Sequence, residues 1–442
     1  MTRQRRIAFL SEHASPLALL GGQDAGGQNV YVDSVARELG RLGFQVDVFT
    51  RSDRPDLSEI VELAPGVRVI NIGAGPASYL PKDDLWPLMP WFRDGILDFI
   101  RRERIDYDLV HGNFWMSGWV AAELKRRLGI PAVQIFHAMG QTKQRHQGAA
   151  DTSPAERIDI ERQVVSDVDR LIAQCPSERD ELIEDYGSDP AKIAVIPSAV
   201  NIDLFRPVDK PAARAKTGLA RDEFVVMYVG RLLPRKDIRN VVRALAILQE
   251  TADAPIRLVI VGGETREPNS IKTPEIGELR RLAAELGVAE RVTFTGKRQQ
   301  SELAGYYSAG DVVVTTPWYE PFGLTPLEAM ACGRPVLGSA VGGITFTVQD
   351  GVTGFLVPPR DPEALAGKLR LLLNEPDLGE RLGRQARERV ETAFTWRLVG
   401  RRTADLYEQL LTSERYTAPD RLVAADLSGR QLITASHPRQ RK

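Results

Sequence analysis

Two carboxylates, Glu320 and Glu328, stand eight positions apart in Tyr319-Glu-Pro-Phe-Gly-Leu-Thr-Pro-Leu-Glu328, where a loop turns into a helix. At a helix start they could orient sugar hydroxyls beside a phosphate held by the free amides. Pro326 fits the first helical position, and Thr325 before it the N-cap. Glu328, three residues after Thr325, equally fits a capping box whose only work is to start the helix. Gly230-Arg-Leu-Leu-Pro-Arg-Lys236 adds two cations, Arg231 and Lys236, just after a strand. A forked guanidinium and a compact ammonium together suit a diphosphate, although an ordinary basic loop reads the same way. The run Gly21-Gly-Gln-Asp-Ala-Gly-Gly27 lies between a strand and a helix, where backbone amides and the helix dipole favour an anion. Its glycines fall in adjacent pairs, unlike the dinucleotide pattern, and a surface turn is the competing reading. His137 and His13 each follow a strand, a place that suits structural use as well as catalysis. Asp106-Tyr-Asp108 has the spacing by which some sugar-nucleotide enzymes hold a metal, yet it enters strand Leu109-Val110 from the amino end. Asp167-Val-Asp169 closes a helix, no His/Cys/Asp cluster has metal spacing, and no metal is expected.

The elements that must position these groups alternate strand and helix, the pattern of parallel sheets wrapped on both faces. In the first half the strand candidates are Ile7–Leu10, Val46–Phe49, Val67–Ile72, Leu109–His111, Ala132–Phe136, Arg170–Ala173 and the short Lys192–Pro197. A helix runs from about Asn29 to Leu42, and Ser153-Pro-Ala-Glu156 reads as a capping box opening a helix toward Val168. The rhythm restarts with Phe224–Val229, Arg257–Val261, Val292–Phe294, Val312–Thr315, Pro335–Leu337 and Gly354–Val357, and the segment Asp361–Leu411 is helical. The expected fold class is α/β, with two doubly wound Rossmann-like domains facing a central cleft at the strands' carboxyl ends. The expected boundaries are 1–205, 206–395, a last helix at 396–412 and a polar, basic-ended tail at 413–442.

Composition narrows the class. The 442 residues imply about two to three domains. With 43% hydrophobic and 26% charged residues the chain is ordinary globular protein, and its net charge of −1 gives no basic field for nucleic acid. The apolar run after Met-Thr-Arg-Gln-Arg-Arg is too short for a signal peptide, and no stretch of about 18 apolar residues occurs, so membrane contact is peripheral at most. Cys175 and Cys332 match no disulfide framework, which points to a reducing cytoplasm; a monomer or homodimer is expected.

In order, Asp24-Ala-Gly-Gly-Gln-Asn-Val-Tyr31, Phe136-His-Ala138, Gly230-Arg-Leu with Lys236, and Glu320-Pro-Phe-Gly-Leu with Glu328 resemble the retaining GT-B glycosyltransferases of family 4. Gly342-Gly343 and Asp350-Gly-Val-Thr-Gly-Phe-Leu-Val357 fit the same pattern, and the likeness reaches to about residue 411. The family includes sucrose-phosphate synthase, sucrose synthase and the inositol-phosphate N-acetylglucosaminyltransferase of mycothiol synthesis. The resemblance implies hexosyl transfer from a nucleotide-diphosphate sugar, UDP ahead of GDP-mannose, with the anomeric configuration kept and no cofactor or metal. It gives Arg231 and Lys236 the diphosphate, aided by amides of Gly26, Gly27 and the run Phe322, Gly323, Leu324 and Thr325. Glu320 takes hydroxyls of the transferred sugar, Glu328 the ribose, and His137 the donor sugar near its O6. The last helix is expected to cross back onto the first domain.

On the acceptor side the pattern of the mycothiol-synthesis member is a lysine, a tyrosine, a threonine and an arginine around a phosphate. Lys82, in Pro81-Lys-Asp-Asp-Leu-Trp-Pro87, and Arg157 match, whereas Phe114 and Ala138 replace the two hydroxyl donors. Trp86, Met89, Trp91 and Phe92 form either an apolar wall or core. Two other readings keep the fold: an epimerase or hydrolase, which consumes donor without extending an acceptor, and a non-catalytic sugar-nucleotide-binding protein. The joint presence of Arg231, Lys236, Glu320 and Glu328 argues against the last.

Overall fold

A computed structural model of the chain describes residues 4–18, 26–251 and 254–413. Gly21–Ala25 of the glycine-rich run and the basic tail from 414 lie outside the described residues. Among the described residues the first half forms an eight-stranded sheet in the order β3-β4-β2-β1-β5-β6-β7-β8. Its strands are β1 (Arg6–Leu10), β2 (Gln45–Arg51), β3 (Ile60–Ala64), β4 (Val67–Ile72), β5 (Leu109–Asn113), β6 (Ala132–Ile135), β7 (Arg170–Ala173) and β8 (Ile193–Val195). The second half forms a six-stranded sheet, β11-β10-β9-β12-β13-β14. Its strands are β9 (Phe224–Val229), β10 (Ile256–Val261), β11 (Val292–Gly296), β12 (Val312–Thr315), β13 (Val336–Ser339) and β14 (Gly354–Val357).

Central strands such as β1, β9 and β12 are apolar at almost every position because helices cover both faces. The exception is β3, which pairs antiparallel with β4 at the sheet edge and is half exposed. It is absent from the sequence reading because Ile60-Val-Glu-Leu-Ala64 has neither a continuous apolar run nor clean alternation. Each sheet has a core on either face. On one face of the first, Val32, Val35 and Leu39 pack with Val399, Tyr407 and Leu410 of the last helix, Trp396–Leu411.

That helix belongs to the first sheet although it follows the second in sequence. Val200 N donates to Phe394 O at 3.1 Å, and Tyr407 Oη meets His111 Nδ1 at 2.5 Å in the buried seam. Removing each such aliphatic side chain from water is worth roughly 1.5–3 kcal/mol, enough for a few of them to fix the crossing. The last helix therefore packs on the first sheet.

Local expectations fail at two helix starts. Thr325 is not an N-cap: the helix runs Leu324–Ala331, its cap is Gly323 at φ +87°, and no side chain caps it. Glycine adopts that backbone without cost and the helix starts two residues early, so no Thr325–Glu328 capping box forms. Ser153 likewise caps nothing, since the helix is Arg157–Asp167 and the Ser153 hydroxyl accepts from Lys143 and Arg157 instead. Of the aromatic-rich stretch, Met89 and Phe92 are core, and Trp86 packs on Trp115 at 4.9 Å. Trp91 is 61% exposed.

Candidate active site

In the second sheet the strand order reverses between β9 and β12, and loops leaving that point diverge to open a crevice. The loop after β9 carries Arg231, exposed and without a side-chain partner among the described residues, then a single 3-10 turn, Pro234–Lys236. The loop after β12 carries Trp318, Tyr319 and Glu320, and Trp318 N donates to Arg235 O at 2.9 Å, tying the loops together. This brings the Lys236 ammonium onto Glu320 Oε2 in a nearly buried ion pair, with Arg235 3.9 Å from the same oxygen. Burial pushes Glu320 up, but Lys236 and Arg235 together hold it below its ordinary range, so it is a carboxylate. Burial also pulls Lys236 down, Glu320 opposing and Arg235 and Arg231 adding to the fall. Gly342 and Gly343 lie directly on this loop. Gly343 N donates to Glu320 O at 3.0 Å, and a Cβ on Gly342 would come within 2.2 Å of that oxygen. The two glycines are thus a packing requirement for placing Glu320.

The helix Leu324–Ala331 then points its amino end into the crevice. Glu328 sits on its second turn and accepts from Tyr307 Oη at 2.7 Å. Burial raises Glu328 to about 6, although the Tyr307 bond works the other way. Opposite stands the helix Gly27–Arg41 of the first half, whose start nearly touches: a Cβ on Gly27 would lie 3.2 Å from Leu324 Cδ1. Two helix N-termini thus converge, each with free amides and a positive dipole end, a setting for an anion. Beside them a cavity of about 480 Å³ is lined by Asn29, Val30, Asn201, Gln299, Leu324 and Glu328 among others. Its mixed polar and apolar lining has room for a nucleoside-sized ligand.

In the first sheet the order reverses between β1 and β5, and three neighbouring strand ends supply the floor of the cleft. His13 follows β1, Asn113 ends β5, and His137 follows β6. His13 Nδ1 is 2.7 Å from Glu12 Oε1, and His137 Nε2 is 3.1 Å from Asn113 Oδ1. Burial, with His13 nearby, lowers His137 to about 3, so its imidazole is neutral. His137 and Phe114 both have left-handed backbones, at φ +62° and +80°, strain of the kind that collects at functional sites.

The acceptor candidates are arranged differently. Arg157 is buried and committed: Nε meets Glu161 Oε1 at 2.8 Å, Nη2 donates to Ala138 O at 2.6 Å, and the guanidinium lies over the Phe114 ring at 5.2 Å. Lys82 stands half-buried on the 3-10 turn Lys82–Asp84, next to Asp83, which accepts from Thr152 at 2.6 Å. Lys143 bridges the same region, 2.8 Å from Asp151. A clasp crosses the cleft nearby. The His146 and Tyr319 rings stack at 4.8 Å, and Gln147 donates to Tyr319 Oη. Asp108 is structural, accepting from Arg6 N at 2.8 Å at the strand's amino end. Among the described residues no three His, Cys, Asp or Glu side chains converge on a metal position.

Sequence reasoning passed over Arg235, Tyr307 and the clasp. Arg235 adjoins Lys236 and was within reach of the basic-loop argument. Tyr307 lies 21 residues before Glu328 on another helix, and nothing in the local pattern joins them.

Residues 25–204 match the family model described as Glycosyltransferase Family 4, and residues 209–389 the one described as Glycosyl transferases group 1. The D-inositol 3-phosphate glycosyltransferase of Streptomyces avermitilis is 39% identical over 421 residues, 94% of this chain and 90% of its own length. That of Corynebacterium glutamicum is 37% identical over 415 residues, 92% of this chain and 98% of its own. Among solved structures, sucrose-phosphate synthase from Thermosynechococcus elongatus has a TM-score of 0.82 at 36% identity, covering 92% of this chain and 99% of that one. Similarity along nearly the whole length, on a fold that carries the expected residues to one cleft, leads to one conclusion: the chain belongs to the family-4 glycosyltransferases, GT-B enzymes that use nucleotide sugars.

Proposed function

We propose that the enzyme moves a hexosyl group from a UDP-sugar, ahead of GDP-mannose, to a hydroxyl of a sugar or sugar-phosphate acceptor, keeping the anomeric configuration and using no metal. The observation that carries this reading is the Lys236–Glu320 pair, with Arg235 beside it, at the mouth of two converging helix starts. As the bond to the diphosphate breaks, negative charge grows on the leaving oxygen. Arg231, Lys236 and the amides at Gly27 and Leu324–Thr325 supply preorganised positive charge at that moment, whereas the Gly26 amide is already spent on Asn29 Oδ1 at 2.9 Å. Glu320 then has one oxygen tied to Lys236 and another for a sugar hydroxyl. Glu328 orients the ribose, and His137 contacts the sugar that moves. In this reading residues 206–395 hold the donor and 1–205 the acceptor. The relatives named for D-inositol 3-phosphate and sucrose-phosphate support a phosphorylated polyol or sugar as the first acceptor class to test, with Lys82 and Arg157 as its cations and Phe114 against it. Two unbridged, buried thiols, Cys175 and Cys332, suit a reducing cytoplasm, and no described helix is long and apolar enough to cross a membrane.

A thermal-shift screen of nucleotide sugars tests the donor, since stabilisation tracks affinity by mass action. The best donor is then offered with a panel of sugars and sugar phosphates, and the product's anomeric configuration is read by NMR. Donor consumed with no acceptor extended would replace this reading by the epimerase or hydrolase one. A chelator should leave turnover intact; loss restored by Mn²⁺ or Mg²⁺ overturns the metal-free part.

A further inference from the structure

We infer that Asn113 is a positioning residue that fixes His137 as the Nε2–H tautomer, leaving Nδ1 as a bare hydrogen-bond acceptor for a donor-sugar hydroxyl. The inference rests on the proposed contact between His137 and the sugar, and adds what makes that contact directional.

Asn113 is fully buried at the end of β5, and its Nδ2 donates to Leu10 O at 3.0 Å. That bond identifies the two ends of the carboxamide, because a flipped amide would set its oxygen against the Leu10 carbonyl. The remaining end, Oδ1, is 3.1 Å from His137 Nε2. A carboxamide oxygen only accepts, so Nε2 must carry the hydrogen. Nδ1 has no hydrogen-bond partner among the described residues, and the ring is half-buried. Other contacts hold the arrangement in place. The Asn113 carbonyl accepts from Gln28 Nε2 at 3.4 Å, Phe114 N donates to Ile135 O at 2.9 Å, and Tyr31 packs edge-on to the His137 ring at 4.9 Å. The charged and titratable neighbours are His13 after β1, His111 on β5 and Tyr31 on the facing helix, none of them a carboxylate that could favour the imidazolium. Burial keeps the ring neutral, so one tautomer is defined throughout the working range. His13 is set the opposite way: Glu12 takes its Nδ1–H, and Nε2 is left over.

The test is ¹⁵N-histidine labelling of the full chain with two-bond ¹H–¹⁵N correlation, His137 being assigned from a His137→Ala variant. The wild-type spectrum should show His137 protonated at Nε2 and His13 at Nδ1. Asn113→Ala should shift the His137 signals toward a mixture of tautomers and lower kcat/KM for the donor about tenfold, the worth of one hydrogen bond. A wild-type His137 protonated at Nδ1, or an unchanged tautomer in Asn113→Ala, overturns the inference. Should Asn113→Ala fail to fold, the wild-type spectrum still decides. If the tautomer is as assigned but His137→Ala leaves transfer intact, Asn113 keeps its positioning role and the sugar contact of His137 falls.

Discussion

The two walls of the cleft handle charge in opposite ways. On the wall after β9 and β12, Arg235 and Lys236 gather around one carboxylate, Glu320, and Arg231 stands exposed on the same loop, a positive excess. On the wall after β5 and β6, Arg157 is matched by Glu161, and Lys143 by Asp151. Excess positive charge at two helix ends is what a diphosphate leaving group calls for; internally matched pairs hold loops together. In the proposed reading the first wall takes the donor diphosphate, and the second, held together by matched pairs, faces the acceptor.

The sharpest way to break this comparison is Lys236→Ala. It removes the partner of a buried carboxylate and a cation from the diphosphate position, and should lower kcat/KM by about 10²–10³, in the range seen for loss of one transition-state donor. Near-normal turnover in a steady-state assay would show that the excess charge is not catalytic. Next is Glu328. Its carboxylate, raised by burial to about 6, is charged above that pH and accepts from hydroxyls best there. Donor affinity should fall as pH drops through about 6, and binding should lower this pKa because the bound form favours the anion. Titration calorimetry across pH 5–8 checks it, with Glu328→Gln expected to bind about tenfold more weakly and without the limb. Tyr307→Phe removes the bond that opposes the rise, so the limb should move to higher pH.

Smaller effects sharpen the acceptor side. Phe114→Tyr restores a hydroxyl beside Arg157 and should lower KM for a phosphorylated acceptor about threefold, the scale of a modest hydrogen bond, without changing donor KM. Equal effects on both substrates would erase the division between the walls. The smallest effect belongs to the clasp. Burial, then Arg145 and Arg360, lower His146, so protonation opposes the His146–Tyr319 stack. The clasp is complete above the ordinary histidine value and weakens as pH falls below it. Small-angle scattering should show slight opening at pH 5 relative to pH 8, and His146→Ala should abolish that difference.

Much of this was legible in the chain, and the failures have identifiable causes. The strands of both sheets announce themselves because parallel sheets need continuous apolar runs; β3 does not, because an edge strand has one face in water. Glu320, Lys236, Arg231 and Glu328 can be proposed from the chain because diphosphate-sugar chemistry demands their types at strand ends and helix starts. The start of their helix was misread, since Thr325 and Pro326 have good local propensity there. Gly323 caps the helix instead, at a positive φ that glycine adopts freely.

What the sequence determined by itself is therefore the doubly wound architecture, the glycosyltransferase family and the residue types on the donor wall, all of which follow from periodicity and short motifs. The tertiary structure alone decided the pairings: Lys236 with Glu320 across 84 residues, Glu328 with Tyr307, His137 with Asn113, Arg157 with Glu161 under Phe114, and the last helix on the first sheet. Those pairings depend on which strand ends lie side by side once the sheet order is set. Hydrogen bonds and ion pairs reach only a few ångströms, so their partners become known only when the fold has brought them together.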